Sequence, residues 1–462
     1  MDARSLKFVS EACGGELRQG TPGAEVGGIS TDSRTAGPGD LFVALAGDRF
    51  DGHDFLAAVA ARGVAGVMGM RERLPKFPAG LGVVAVEDTR VALGRLASRY
   101  RQDFGLPVVA VGGSNGKTTT KELLGSVLRQ RFKTVWSEAS FNNDIGVPLT
   151  LMKIGSETQA AVLEAGTNHP GELAPLLRMI NPRLGVITSI GREHLEFFGD
   201  LAGVAAEEGA MAEALPPDGV LFLDGDGEWT PAVAKRSAAR VVRVGLSAAN
   251  NFRASEVGMD ESGLRFKASG LGLDGDYRIN LVGRHQVVNA MLAIAVGGEL
   301  GLDRAAIQRG LTEATPAKMR LRLWSQEGVR VLDDAYNANV ESVRAALQTL
   351  KDLACDGRRI AVLGDMAELG GQSETCHAEA GGQAATLGID VLVAVGKFRS
   401  VTASAARRGG LLEVVEIESV EAAAAAVKKL ARRDDLILLK ASRASRFERI
   451  AETLGGGAPG KK

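Results

Sequence analysis

The sequence predicts an α/β protein of three domains: a central phosphate-loop domain on a parallel sheet, a second doubly wound unit after it and a smaller α/β unit before it. Three observations carry this. A chain of 462 residues leaves room for about three cores at roughly 100–200 residues per domain. Apolar runs at Leu106 to Val111, Ala160 to Leu163 and Leu184 to Ile190 alternate with helix-forming stretches, the pattern of a parallel sheet wrapped by helices. The same alternation begins again from about Thr315, at Val329 to Leu332, Ile360 to Leu363, Val391 to Val395 and Leu436 to Leu439.

In chain order, residues 1–104 form the first unit, with a loop-rich Gly/Asp segment from Ile29 to His53 and then a helix and strand pattern up to Val86. Residues 105–314 form the central unit. Within it, short alternating segments from about Asn250 to Val282, separated by glycine turns, predict a small antiparallel addition. Gly270-Leu-Gly-Leu-Asp-Gly275 there spells a dinucleotide fingerprint, but no helix follows it, so it reads as a hairpin turn. Residues 315–454 form the third unit, and the Gly/Pro/Lys-rich tail 455–462 is expected to be disordered.

The most informative stretch is Gly112-Gly113-Ser114-Asn115-Gly116-Lys117-Thr118-Thr119-Thr120, after an apolar run and at the opening of a helix. A strand, a glycine turn and a helix start leave backbone N–H groups unpaired where the helix dipole favours negative charge. Lys117 would add a point charge on the β and γ phosphates, and the Thr118 hydroxyl would ligate magnesium. The usual pattern has Gly six residues before the Lys, and Val111 stands there instead. Gly112 to Gly116 also spells a nucleophile elbow around Ser114, but that reading gives no reason for Lys117-Thr118-Thr119.

Ligands in such sheets sit beyond the carboxyl ends of strands. One strand end delivers Glu164-Ala-Gly-Thr-Asn168-His169, another Gly191-Arg-Glu-His194, and Asn142-Asn143-Asp144 follows a third candidate strand. Magnesium prefers carboxylate, hydroxyl and water oxygens to imidazole, so Glu164 with Thr118 is the stronger ligand pair and His194 the weaker candidate.

Composition excludes several classes. Hydrophobic residues at 45%, charged residues at 24% and a formal net charge of -1 describe a globular chain without a global pull towards nucleic acid or anionic membrane. Aromatics make up only 5%, with no basic stripe for them to interleave, so no nucleic-acid partner is expected. The first twenty residues lack a signal-peptide core and no run is long enough to span a membrane, so a cytosolic protein is expected; it is also expected to be a monomer. Cys13, Cys355 and Cys376 form no Cys-x-x-Cys pair and suggest neither a disulfide framework nor a zinc site.

Together, Gly113-Ser-Asn-Gly-Lys-Thr-Thr-Thr120, Asn142-Asn-Asp-Ile-Gly-Val-Pro-Leu-Thr150, Glu164-Ala-Gly-Thr-Asn-His-Pro-Gly-Glu172 and Gly191-Arg-Glu-His-Leu-Glu196 resemble the Mur ligases over essentially the whole chain. Gly283-Arg-His-Gln-Val-Val-Asn289, Leu332-Asp-Asp-Ala-Tyr-Asn-Ala-Asn339, Ala361-Val-Leu-Gly-Asp-Met-Ala-Glu-Leu369 and Lys440-Ala-Ser-Arg443 look like the later motifs of one branch. In that branch D-alanyl-D-alanine is added to a UDP-N-acetylmuramoyl-tripeptide. The resemblance implies an N-terminal domain for the UDP-sugar, a central ATPase domain and a closing, Rossmann-like C-terminal domain. It implies ATP as substrate and Mg2+ as cofactor, and an acyl phosphate between the two half-reactions.

The resemblance also implies site residues. Gly113, Ser114, Asn115, Gly116, Lys117, Thr118 and Thr119 would hold the ATP phosphates, Asn289 would touch adenine, Asp334 the ribose and Arg320 the γ-phosphate. Lys117, Glu164, His194 and Arg320 would carry catalysis. Ser33, Arg34, Asp51 and His53 resemble the uridine-nucleotide loop. Asn142, Asn143, Asn168, His169, Tyr336, Asn337, Lys440, Ser442 and Arg443 would complete the substrate site, with Ala441 standing where the family usually has Gly. In most relatives a carbamylated lysine follows the His-Leu-Glu motif, whereas here that position is Glu208. Glu208 is therefore expected to offer an encoded carboxylate to the metal set of Thr118, Glu164 and His194. Sibling ligases, a folylpolyglutamate synthetase-like enzyme and a degenerate nucleotide-binding protein are the competing readings.

Overall fold

The computed structural model describes residues 1–47 and 50–456, folded around three main sheets. The first has five strands in the order Glu16–Gln19, Gly82–Val86, Gly66–Met70, Asp40–Val43 and Gly28–Ser30, all parallel except the first pair. Strand Asp40–Val43 lies inside the stretch read from sequence as loop-rich, Ile29 to His53, and Gly28–Ser30 overlaps its start. They are only four and three residues long, too short for a periodic pattern.

Asp88 caps the next helix, Thr89–Arg101, by accepting the Arg90 and Val91 amides at 2.7 and 3.0 Å. Its buried Leu93, Leu96 and Tyr100 share one core with Leu6 and Val9 before it and with Val108, Ala110 and Leu177 after it. The expected boundary at 104 thus crosses a continuous hydrophobic core.

The central sheet has nine strands. Seven are parallel: Thr134–Trp136, Ala160–Glu164, Val108–Gly112, Leu184–Ile187, Val220–Asp224, Arg240–Gly245 and Phe252–Asp260. Gly263–Ser269 and Gly275–Ile279 then add antiparallel. The expected antiparallel addition is thus present, as the far edge of this sheet. Glu164 pairs with Val111 and Ile187 with Gly112, so the three central strands end level with one another. The chain passes to opposite sides of Val108–Gly112, which opens a crevice at their carboxyl ends.

The third sheet orders as Arg322–Gln326, Val329–Asp333, Leu436–Lys440, Arg359–Leu363, Val391–Val395 and Glu413–Ile417, parallel after the first antiparallel pair. Separate cores cover its two faces. Its two edge strands keep only partial burial and polar alternation, and for that reason they do not stand out as apolar runs. At the end of the chain Gly456 still donates to Ala451 O at 2.7 Å, so the expected disorder does not begin at 455. Residues 457–462 lie outside the described residues. Among the described residues no helix is long and apolar enough to cross a membrane.

Candidate active site

Gly113 and Gly116 have φ of +108° and +93°, a region L side chains rarely adopt. A Cβ on Gly116 would lie 2.4 Å from Asn289 Oδ1, and one on Gly113 would lie 2.5 Å from Thr188 Oγ1. The loop is thus glycine both for its turn and for the close approach of its neighbours. Helix Lys117–Leu128 starts at Gly116 with no side-chain cap and no acidic residue in its first turn. Its first amides are left to an anion. Ser114 and Asn115 hold the loop to the neighbouring strand end: Ser114 N–H donates to Ser189 O at 2.8 Å and Asn115 N–H to Ser189 Oγ at 2.9 Å.

Lys117 Nζ folds back onto Gly113 O at 2.5 Å and lies 3.6 Å from Glu193 Oε2. Burial disfavours its charge, but Glu193, Glu208 and Glu164 outweigh that and hold the ammonium above its ordinary value. Glu164 accepts from Thr118 Oγ1 at 3.3 Å and from Asn142 Nδ2 at 2.9 Å, while its Oε2 is buried without a partner. An orphaned carboxylate oxygen beside a hydroxyl is a donor set that suits magnesium. Lys121 is fully buried and donates to Ser137 O and Ala139 O, which fixes the turn leading to Asn142.

The expected metal set does not close into one cluster. Among the described residues no three His, Cys, Asp or Glu side chains are grouped to hold an ion. Glu208, at the end of helix Leu201–Glu208, gives Oε2 to the Gly113 amide at 2.7 Å and leaves Oε1 buried and unpartnered. Burial pushes its carboxyl up to about 8, against the pull of Lys117. His194 turns its Nδ1 to Glu368 of the third unit and holds Nε2 3.9 Å from Glu193 Oε2.

The third unit supplies the opposite wall. Lys440 Nζ pairs with Asp334 Oδ2 at 2.6 Å and donates to Asn337 O at 2.8 Å, and burial pulls its ammonium below the ordinary value. The Arg320 guanidinium stacks 4.2 Å from the Tyr336 ring centre, and Tyr336 Oη donates to Ser140 Oγ at 2.7 Å. Asn339 caps helix Val340–Asp352 and also reaches Asn115 Oδ1 on the phosphate loop at 3.0 Å. Arg192 bridges the same seam, meeting Glu341 at 2.7 Å and Glu379 at 2.9 and 3.0 Å.

A cavity of about 1820 Å³ lies between these walls. Of the residues singled out in the sequence, Ser114 to Thr119, Asn142, Asn143, Glu164, Asn168, His169, His194, Asn289, Arg320, Asp334, Tyr336, Asn337 and Lys440 line it. Asn143 has a structural task as well: its Oδ1 accepts the Gly146 amide at 2.9 Å and the Ile145 amide at 3.2 Å, in the turn before helix Gly146–Leu151. Other candidates lie elsewhere. Arg34 is paired with Asp32 on an exposed turn, with Ser33 beside it. His53 is buried between Asp51 Oδ1, 2.6 Å from its Nδ1, and the Met70 amide, 2.8 Å from its Nε2. That bonding shows it bracing its loop. Ser442 ties Ala367 N to the segment of Ala338, and Arg443 pairs with Glu448 at the surface. Sequence reading missed Glu193, Arg192, Glu341 and Glu368, although Glu193 stands directly before His194.

Family models match three stretches of this chain: the Mur ligase family catalytic domain at residues 25–101, the Mur ligase middle domain at 111–297 and the Mur ligase glutamate ligase domain at 319–443. The chain is 35% identical over 464 residues to a Bacillus subtilis protein named UDP-N-acetylmuramoyl-tripeptide--D-alanyl-D-alanine ligase, covering 98% of this chain and 99% of that one. It is 37% identical over 402 residues to the Escherichia coli protein of the same name, covering 85% and 86%. Among solved structures, MurF from Acinetobacter baumannii superposes with a TM-score of 0.89 at 31% identity, over 99% of this chain and all of that one. MurF ligase from Thermotoga maritima, solved with ADP, shares the fold at a TM-score of 0.79 and 24% identity, over 93% and 97%.

Proposed function

The chain belongs to the Mur ligase family, and from that premise we propose that it joins D-alanyl-D-alanine to a UDP-N-acetylmuramoyl-tripeptide, driven by ATP, in cytosolic peptidoglycan precursor synthesis. The observation that carries the reading is the convergence of Lys117 and Glu164 from one unit with Asp334 and Lys440 from another on a single cavity. Its volume suits a nucleotide and a peptide side by side.

A carboxylate is a poor electrophile until one of its oxygens becomes a good leaving group. The uncapped amides of helix Lys117–Leu128 and the Lys117 ammonium bind the phosphates, and Arg320 meets the γ-phosphoryl group from across the cavity. Asn289 would contact adenine and Asp334 the ribose, both from the cavity lining. Thr118 and Glu164 would hold magnesium, which would supply neutralisation of the phosphate charge; Glu208, tied to the Gly113 amide, and His194, tied to Glu368, stand outside that pair. The terminal carboxylate of the tripeptide displaces ADP from the γ-phosphorus and becomes an acyl phosphate. The D-alanyl-D-alanine amine then attacks its carbonyl carbon, phosphate leaves and the ammonium proton is released. Ser33 and Arg34, on their exposed turn, are the proposed contacts for the nucleotide-sugar.

Mass spectrometry of the product tests this reading. A UDP-N-acetylmuramoyl-pentapeptide formed from tripeptide, dipeptide and ATP is expected. Addition of a single amino acid instead would replace the reading with a sibling ligase.

A further inference from the structure

His194 and Glu368 come from different units, 174 residues apart, and their side chains hydrogen-bond through His194 Nδ1 and Glu368 Oε2. Neither is glycine, yet both adopt left-handed backbone, with φ of +50° and +60°. Such conformations are strained in L residues and persist where surrounding structure enforces them, often at functional sites. Contacts that bypass the imidazole dock the two segments. Glu196 N–H donates to Glu368 O at 3.0 Å, Gln372 Nε2 donates to Gly199 O at 3.1 Å, and a Cβ on Gly370 would lie 3.2 Å from Glu196 Cα. The Glu368 loop is itself braced, since His377 Nε2 accepts the Met366 amide at 2.9 Å and Ser442 Oγ accepts the Ala367 amide at 2.9 Å.

We infer that Glu368 is a positioning residue for His194, holding the ring proton on Nδ1 so that Nε2 presents its lone pair to the cavity, and that this nitrogen is set only when the third unit is docked. A neutral imidazole has one donor and one acceptor nitrogen, and a carboxylate only accepts, so the Glu368 bond selects the Nδ1–H form. His194 lines the cavity, whereas Glu368 stands behind it. On the cavity side Nε2 faces Glu193 at 3.9 Å, and Glu193 lies 3.6 Å from Lys117 Nζ, which continues the chain of contacts to the phosphate loop. The inference rests on the ligase reading for its purpose, because a half-built site would leave ATP unspent until both units close.

The test compares full-length wild type with Glu368→Met and Glu368→Gln. Long-range 1H–15N spectra of histidine-labelled protein, with the His194 signal identified by its absence in His194→Gln, report which ring nitrogen bears the proton. The expected result is Nδ1–H in wild type, a shift to Nε2–H in Glu368→Met, and retention of Nδ1–H in Glu368→Gln, whose side-chain oxygen still accepts. In parallel, kcat should fall about tenfold to a hundredfold in Glu368→Met with the KM for ATP held, and Glu368→Gln should recover most of it. Nε2–H in wild type, or ring signals and kcat unchanged in Glu368→Met, would overturn the inference. If wild type forms no pentapeptide, the ligase reading fails, while the ring spectra still decide the tautomer.

Discussion

Glu208 Oε2 accepts the Gly113 amide at 2.7 Å, so a carboxylate 95 residues further along the chain closes the phosphate loop from beneath. It sits fully buried beside Lys117, and its second oxygen has no partner. Helix Leu201–Glu208 delivers it there, and Arg236 Nη1 holds that helix end through Ala205 O and Ala206 O at 3.1 and 2.8 Å.

Removing this carboxylate should change how stability depends on pH. The folded value of about 8 lies above the ordinary 4.5, so between these values the folded protein keeps a proton that the unfolded chain has released. Stability from this group is therefore lost as pH rises from about 4.5 to about 8. Glu208→Gln abolishes that slope, and its melting temperature should gain steadily on wild type across the window. Thermal denaturation from pH 5 to 8.5 checks this, and parallel curves would refute it.

Glu164→Gln should raise the magnesium concentration needed for half-maximal turnover by at least about tenfold, because it removes the negative charge at the orphaned oxygen beside Thr118. A magnesium titration at saturating ATP measures it. An unchanged midpoint would place the ion elsewhere.

Lys117→Ala should cut turnover by about a hundredfold to a thousandfold, the scale for losing one preorganised charge on a transferring group. It also leaves Glu193, Glu208 and Glu164 without their shared counter-charge, so the variant should melt lower than wild type. Steady-state kinetics and a melting curve read the two effects separately.

Arg192→Ala breaks both charge-assisted contacts across the seam to Glu341 and Glu379. A loss of roughly 1.4 kcal/mol in the closed arrangement corresponds to about tenfold in kcat/KM. Small-angle scattering of the ligand-free variant should show a larger radius of gyration than wild type. Equal radii and equal kcat/KM would leave the Arg192 contacts without a role in closure.

The parts legible in sequence were those whose chemistry is local. The phosphate loop could be read because its glycines and Lys117-Thr118 are adjacent, and Glu164 because it ends an apolar strand. Glu193 escaped notice because its meaning depends on Lys117, which only the parallel pairing of Val108–Gly112 with Leu184–Ile187 brings near. Glu368 was hidden for the same reason at larger separation. His53 read as a ligand residue, but its Nε2 is taken by the Met70 amide, a pairing set by how strand Gly66–Met70 lies against its loop. Partly exposed edge strands such as Glu413–Ile417 carry too little apolar signal to show in a one-dimensional reading.

The most direct measurement is phosphate release from ATP and magnesium by the purified protein, with UDP-N-acetylmuramoyl-tripeptide alone, D-alanyl-D-alanine alone and both together. Sustained release only with both substrates, one phosphate per amide bond formed, is the predicted result. ATP binding without turnover in the presence of both, or release indifferent to the dipeptide, would contradict the proposed ligase.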